Sequence, residues 1–203
     1  SSENDKKILY SLEIQSEHPL AEAVVNKLKE EHISSLPIDK FESLTARGVK
    51  AIVNDITYFV GNRKLMEENG ISISEALTYN ATQFQEEAKT VVYFSNQSTT
   101  LALIAVADKI KSTSRVAIQS LHDKGIEVYM LTGDNEQTAK AVARQVGLKR
   151  YKAEVLPSDK ADFVKKLQAE GMVVAMVGDG INDSHALAQE DVSIAMGKGS
   201  DIA

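Results

Sequence analysis

Three apolar runs in the second half of the chain stop on carboxylates. Leu103-Ile104-Ala105-Val106-Ala107 ends in Asp108, and Val128-Tyr129-Met130-Leu131 ends in Thr132-Gly133-Asp134. Val173-Val174-Ala175-Met176-Val177 ends in Gly178-Asp179-Gly180, with Asn182 and Asp183 just beyond. In an open parallel sheet the carboxyl ends of the strands lie along one edge, where ligands bind. Carboxylates gathered there repel one another unless a cation neutralises them. Oxygen donors without Cys or His favour Mg²⁺, which held in this way usually serves a phosphate. Gly133, Gly178 and Gly180 let backbone N–H groups approach phosphate oxygens, and Thr132 adds a hydroxyl. Lys160, after Pro157-Ser158-Asp159 at a helix start, can supply a cation to a transferring phosphoryl group. Taken singly, an Asp at a strand end is more often a turn or cap residue, and Lys160 a solvated surface lysine. The repetition over three strands is what favours phosphate chemistry.

These residues need elements to position them. Apolar spacing predicts a helix over 3–12, and Pro19 at a first helical position predicts another running to Glu30. Strands are predicted over 38–44, 49–53 and 56–60, with Asn54-Asp55 as a tight hairpin turn. Helices at 64–68 and 74–88 follow, then strands at 90–94 and 100–107. After Asp108 the pattern alternates: helix 112–122, strand 126–131, helices 136–146 and 158–169, strand 172–177, a short helix near 182–187, and strand 192–195. Apolar strands separated by amphipathic helices predict a parallel sheet covered on both faces. The expected fold class is therefore α/β, with an antiparallel α+β domain over residues 1–105 and a parallel α/β domain over 106–203.

Composition removes several function classes. The chain has 203 residues, 43% of them hydrophobic and 26% charged, which suits one or two soluble globular domains. Its formal net charge of −6 leaves no basic stripe for a phosphate backbone, so no nucleic-acid partner is expected. It has no cysteine, and its four histidines lack ligand-type spacing, which excludes disulfide scaffolds and structural zinc. No apolar run approaches the roughly 18 residues that span a bilayer.

Four segments, in order, resemble the motifs of P-type ATPases. They are Ala107-Asp108-Lys109-Ile110-Lys111, Met130-Leu131-Thr132-Gly133-Asp134-Asn135, Pro157-Ser158-Asp159-Lys160 and Met176-Val177-Gly178-Asp179-Gly180-Ile181-Asn182-Asp183. The first half resembles the heavy-metal (type IB) branch: Ser16-Glu17-His18-Pro19-Leu20 is similar to its His-Pro element, Gly48-Val49 to the end of its G-x-G-V element, and Val60-Gly61-Asn62 to its V-G-N element. The resemblance implies that the second domain has the haloacid-dehalogenase-like fold. It implies that His18 and Glu13 bind the adenine of ATP, with Gly48, Gly61 and Asn62 beneath the nucleotide. Thr132, Gly133 and Lys160 would serve the phosphoryl group, Asp134, also among the catalytic residues, would belong to the moving interface with nucleotide, and Asp179 and Asp183 would hold Mg²⁺. By themselves His18 reads as a loop histidine, Glu13 as helix face, Gly48 as a turn and Asn62 as a helix cap. Ala46 stands where the G-x-G element has its first glycine.

The resemblance further implies a cytoplasmic, ATP-binding part of a membrane pump, soluble by itself. Its partners would be the transmembrane and actuator domains of the same pump, and Cu⁺ is favoured as the transported metal, bound elsewhere. The family's D-K-T-G-T, whose Asp accepts the γ-phosphate, is not found: none of Asp5-Lys6, Asp39-Lys40, Asp108-Lys109, Asp123-Lys124 and Asp159-Lys160 continues into Thr-Gly-Thr. The first strand of the second domain is therefore expected to be missing, leaving apolar surface and unpaired strand edges, and the chain alone is expected to form no phosphoenzyme. Two other readings stay open. A haloacid-dehalogenase-type phosphatase would need D-x-D, which the chain lacks. A nucleotide-binding module without catalysis would need only the first-domain residues.

Overall fold

The computed structural model describes residues 2–16, 18–107, 110–178 and 192–195. Helices α1 (Glu3–Glu13) and α2 (Pro19–Glu30) lead into strands β1 (Lys40–Leu44), β2 (Gly48–Val53) and β3 (Ile56–Gly61). Helices α3 (Arg63–Glu68) and α4 (Glu75–Glu86) precede β4 (Thr90–Asn96) and β5 (Thr100–Val106). The strands form one five-stranded antiparallel sheet in the order β1-β2-β3-β4-β5. Asn54 and Asp55 turn the β2–β3 hairpin with φ of 50° and 63°. Two successive left-handed residues match the strand twist, and Asn and Asp tolerate that region best after Gly.

Alternation along the strands divides the apolar residues between two cores. Val49, Ala51, Val53, Tyr58, Val60 and Phe94 pack with Ile8, Leu9 and Leu12 of α1 and with Val24 and Leu28 of α2. Phe59, Val91 and Tyr93 pack with Leu65 and Met66 of α3 and with Ala81 of α4. Neighbours such as Tyr58 and Phe59 thus serve opposite faces, as a period of two requires. The Tyr58 and Phe94 rings stack at 5.9 Å with 14° between their planes.

The second region comprises α5 (Ser114–Asp123), β6 (Tyr129–Leu131), α6 (Glu136–Val146), β7 (Arg150–Lys152), α7 (Pro157–Ala169), β8 (Ala175–Gly178) and β9 (Val192–Ala195). Its strands are parallel but form two sheets of two, β6-β7 and β8-β9. Among the described residues no strand joins them. Val173 is 84% exposed and Val177 60% exposed. Helix α6 buries Thr138, Ala139, Ala143 and Val146, ends on Gly147 at φ 79°, and packs against α4 of the first region.

Most elements lie within a few residues of their predicted places. Two differ. The predicted strands at 126–131 and 172–177 are cut to Tyr129–Leu131 and Ala175–Gly178. Strand β7, Arg150-Tyr151-Lys152, has no apolar run to announce it. The short helix expected near 182–187 lies outside the described residues.

Candidate nucleotide and phosphate site

Glu13 closes α1 and is only 6% exposed. Burial pushes its carboxyl up to about 7, because an apolar surround disfavours the charged form. His18 caps α2. Its Nδ1 accepts the Leu20 N–H at 3.2 Å, which puts the proton of the neutral ring on Nε2. The side chain reaches solvent, yet enough protein surrounds it to strip part of its hydration. That desolvation moves its pKa below the ordinary imidazole value, and the nearby Asp134 carboxylate opposes the shift. A neutral ring with its N–H on Nε2 suits stacking on a purine and hydrogen bonding at its edge.

Gly48, Gly61 and Asn62 meet at one corner of the antiparallel sheet. Gly48 and Gly61 are direct partners across β2 and β3. Gly48 has φ 141°, and a Cβ there would collide with the Val60 carbonyl oxygen; a Cβ on Gly61 would strike the Arg47 carbonyl oxygen. The close approach of two backbones therefore demands both glycines, whatever binds above them. Asn62 ties the corner together: its Oδ1 accepts the Leu65 N–H at 3.0 Å, and its Nδ2 donates to the Ala46 carbonyl at 2.9 Å. Its own N–H donates to the Arg47 carbonyl at 2.9 Å. Arg47 is held in turn by Glu68, with Nη2 2.8 Å from Oε1. Ala46 sits at φ 56°, a conformation in which glycine is at ease and a Cβ is strained.

The phosphate-type residues lie in the loop after β6. The Thr132 hydroxyl donates to Asp134 Oδ2 and accepts the Asp134 N–H, both at 3.1 Å. Asp134 Oδ1 accepts the hydroxyl of Thr90, at the start of β4, at 3.0 Å. Gly133 is exposed, and a Cβ on it would meet nothing nearer than the Val155 carbonyl oxygen at 3.8 Å. The protein itself has no steric need of glycine there, and the space is open to a ligand. Lys160 rides the first turn of α7. The segment before that helix is hydrogen-bonded onto the loop, Val155 N–H to the Thr132 carbonyl at 3.0 Å and Glu154 N–H to the Asp134 carbonyl at 2.8 Å. Asp179 and Asp183 lie outside the described residues, as do Asp108 and Glu17.

So Gly48, Gly61 and Asn62 are gathered at one corner. Thr132, Gly133 and Asp134 share one loop, with Lys160 on the helix anchored to it, and His18 senses Asp134. Sequence reasoning missed Thr90, whose hydroxyl holds Asp134. Nothing in Lys89-Thr90-Val91 distinguishes that threonine from any other strand residue.

These features describe an α/β protein with a polar Thr-Gly-Asp loop at the carboxyl end of β6, and comparison with known proteins gives its family. The profile for haloacid dehalogenase-like hydrolases matches residues 3–191, and the chain belongs to that family. It is 43% identical over 197 residues to a copper-exporting P-type ATPase of Staphylococcus aureus (strain JH9), covering 97% of this chain and 25% of that protein. Among solved structures it resembles the catalytic domain of the CPx-ATPase CopB-B, studied for conformational changes upon nucleotide binding. That match has a TM-score of 0.73 and 25% identity, and covers 100% of this chain and 71% of the other. It also resembles a zinc-transporting PIB-type ATPase in an E2.Pi state, with a TM-score of 0.57 and 30% identity over 99% of this chain and 32% of that one. The chain thus spans a quarter of the length of the copper-exporting relative. Among the described residues no helix is long and apolar enough to cross a membrane.

Proposed function

We propose that this chain is the ATP-binding and phosphorylation region of a heavy-metal P-type ATPase that exports Cu⁺, working on the cytoplasmic face of a membrane. Residues 1–105 form the nucleotide-binding domain and residues 106–203 the phosphorylation domain. Its partners are the transmembrane and actuator domains of the same pump. The observation that carries this reading is that the Asp134 carboxylate lies close enough to His18 to act on the charge of its ring. That sets the purine-binding candidate of one region near the phosphate-type loop of the other, as a nucleotide spanning both requires. The 43% identity to a copper-exporting pump over nearly the whole chain supports the same reading.

In this reading His18 and Glu13 receive adenine, the Gly48–Gly61–Asn62 corner supports the nucleotide, and Thr132, Gly133, Asp134 and Lys160 line the phosphoryl end. Mg²⁺ suits the donors assigned to it, Asp179 and Asp183. Both offer only oxygen, and the chain contains no thiolate to favour a softer metal. When bound, the ion offsets phosphate charge. The residues of this chain orient the nucleotide and present hydroxyl and N–H donors to its oxygens. Calorimetric titration with ATP tests the assignment. His18→Ala is expected to weaken binding about tenfold or more, the scale of one lost stacking and hydrogen-bonding partner. Unchanged affinity would sink the adenine site.

A further inference from the structure

The antiparallel and α/β regions are joined by side-chain contacts that catalytic roles do not explain. Thr90 Oγ1 donates to Asp134 Oδ1 at 3.0 Å. Thr138 Oγ1 donates to the carbonyl of Lys89, the preceding residue, at 3.1 Å, and accepts from Asn135 Nδ2 at 3.2 Å. Lys64 and Glu154 form an ion pair at 2.7 Å with both side chains about half exposed, a geometry worth little in water. The two threonine bonds differ from that pair. Thr138 is 1% exposed, so its hydroxyl has no easy replacement partner in solvent. Both bonds converge on one dipeptide at the entry to β4, and both come from one stretch, the β6–α6 loop and the first turn of α6.

We propose that Thr90 and Thr138 form a latch that holds the two regions closed on one another, and that Thr90 is a positioning residue for Asp134. The carboxylate has one oxygen on Thr132, inside its own loop, and the other on Thr90, across the seam. Thr132 fixes the loop internally. Thr90 fixes that loop relative to the sheet beneath it, and so sets how Asp134 stands toward His18. The latch needs no nucleotide, since its donors and acceptors all belong to the chain. A bound nucleotide then meets a seam already aligned and loses less freedom on binding. The link to nucleotide rests on the proposed function; the latch itself does not.

The absence of native cysteine permits a direct test. Spin labels at Gln97→Cys and Lys165→Cys, both exposed, report the distance between the regions by pulsed electron resonance. Thr90→Val keeps the shape and removes the donor. It is expected to lower the ratio of closed to open molecules about fivefold, the equivalent of one ordinary hydrogen bond, and to weaken ATP binding by a similar factor. Thr90→Ser restores both, which a merely space-filling role would not produce. Thr138→Val is expected to shift the distances at least as far, because the Lys89 carbonyl and the Asn135 amide both lose their partner. Distance distributions for Thr90→Val and Thr138→Val that superimpose on the wild-type one overturn the latch. His18→Ala distinguishes the two ideas: it weakens ATP binding if the nucleotide reading holds, and leaves the distances unchanged either way.

Discussion

The two regions solve the burial problem differently. The antiparallel region has one continuous sheet with a helix pair on each face, and its apolar residues divide cleanly between two cores. Tyr93, Phe94, Leu12, Leu65 and Met66 are among its fully buried side chains. In the α/β region the strands are three or four residues long and lie in separate pairs. Among the described residues its buried apolar side chains are small, namely Ala139, Ala143, Val146, Ala161 and Val164, while Val116, Val173 and Val177 face solvent. Buried apolar area is what offsets chain entropy. Among the described residues the antiparallel region therefore carries more of the stability, and the α/β region presents polar loops on a thinner support. A site that must open and close for a ligand sits most easily along such an edge.

The largest expected effect tests that division directly. Phe94 is fully buried and stacked on Tyr58. Phe94→Ala should cost about 3–5 kcal/mol, against about 1–2 kcal/mol for Val164→Ala in α7. Native-state hydrogen exchange separates the two regions. Phe94→Ala should strip protection from β2 to β4 and leave α6 and α7 closer to wild type. Equal loss in both would mean that the chain is one cooperative unit.

Next in size is a pH effect confined to the antiparallel region. Folding raises the Glu13 carboxyl from 4.5 to about 7, so the folded state binds that proton more tightly than the unfolded chain. Stability then falls as pH rises from about 4.5 to about 7 and is level beyond, by at most about 3 kcal/mol for a shift of this size. Glu13→Gln retains the shape without the charge. Its difference from wild type in urea midpoints should grow across that window in favour of the variant. Parallel profiles for the two proteins would place Glu13 in contact with water.

The antiparallel region was also the more legible in sequence. Its helices and strands follow from apolar spacing, and Asn54-Asp55 marked the hairpin because few residues accept left-handed backbone. In the α/β region Thr132-Gly133-Asp134 stood out by chemistry, yet Arg150-Tyr151-Lys152 did not read as a strand. An edge strand carrying two cations shows neither alternation nor an apolar run. The separation of the parallel sheet into pairs depends on which strands meet, which periodicity within one segment does not encode. The bonds from Thr90 to Asp134 and from Thr138 to Lys89 join residues 44 and 49 positions apart. Hydroxyl contacts at that separation leave no local trace. Glu13 was readable as a candidate only through resemblance, since its burial follows from how α1 docks on the sheet. The glycines were legible as a pair of motifs, but the backbone collision that requires them was not.

The smallest effect concerns the one departure from motif at the glycine corner. Ala46 adopts φ 56°, and its carbonyl accepts the Asn62 amide. A left-handed alanine is strained by roughly 1–2 kcal/mol, whereas glycine there is unstrained but gives the unfolded chain more freedom, a cost of roughly 0.5–1 kcal/mol. The balance leaves Ala46→Gly more stable by about 0.5–1 kcal/mol, read as a rise in urea midpoint at unchanged slope. The gain should appear only in the antiparallel region, because the corner touches β2, β3 and α3. A loss of stability would show that the alanine methyl makes a contact outweighing its strain. A gain shared equally by α6 and α7 would couple the corner to the seam.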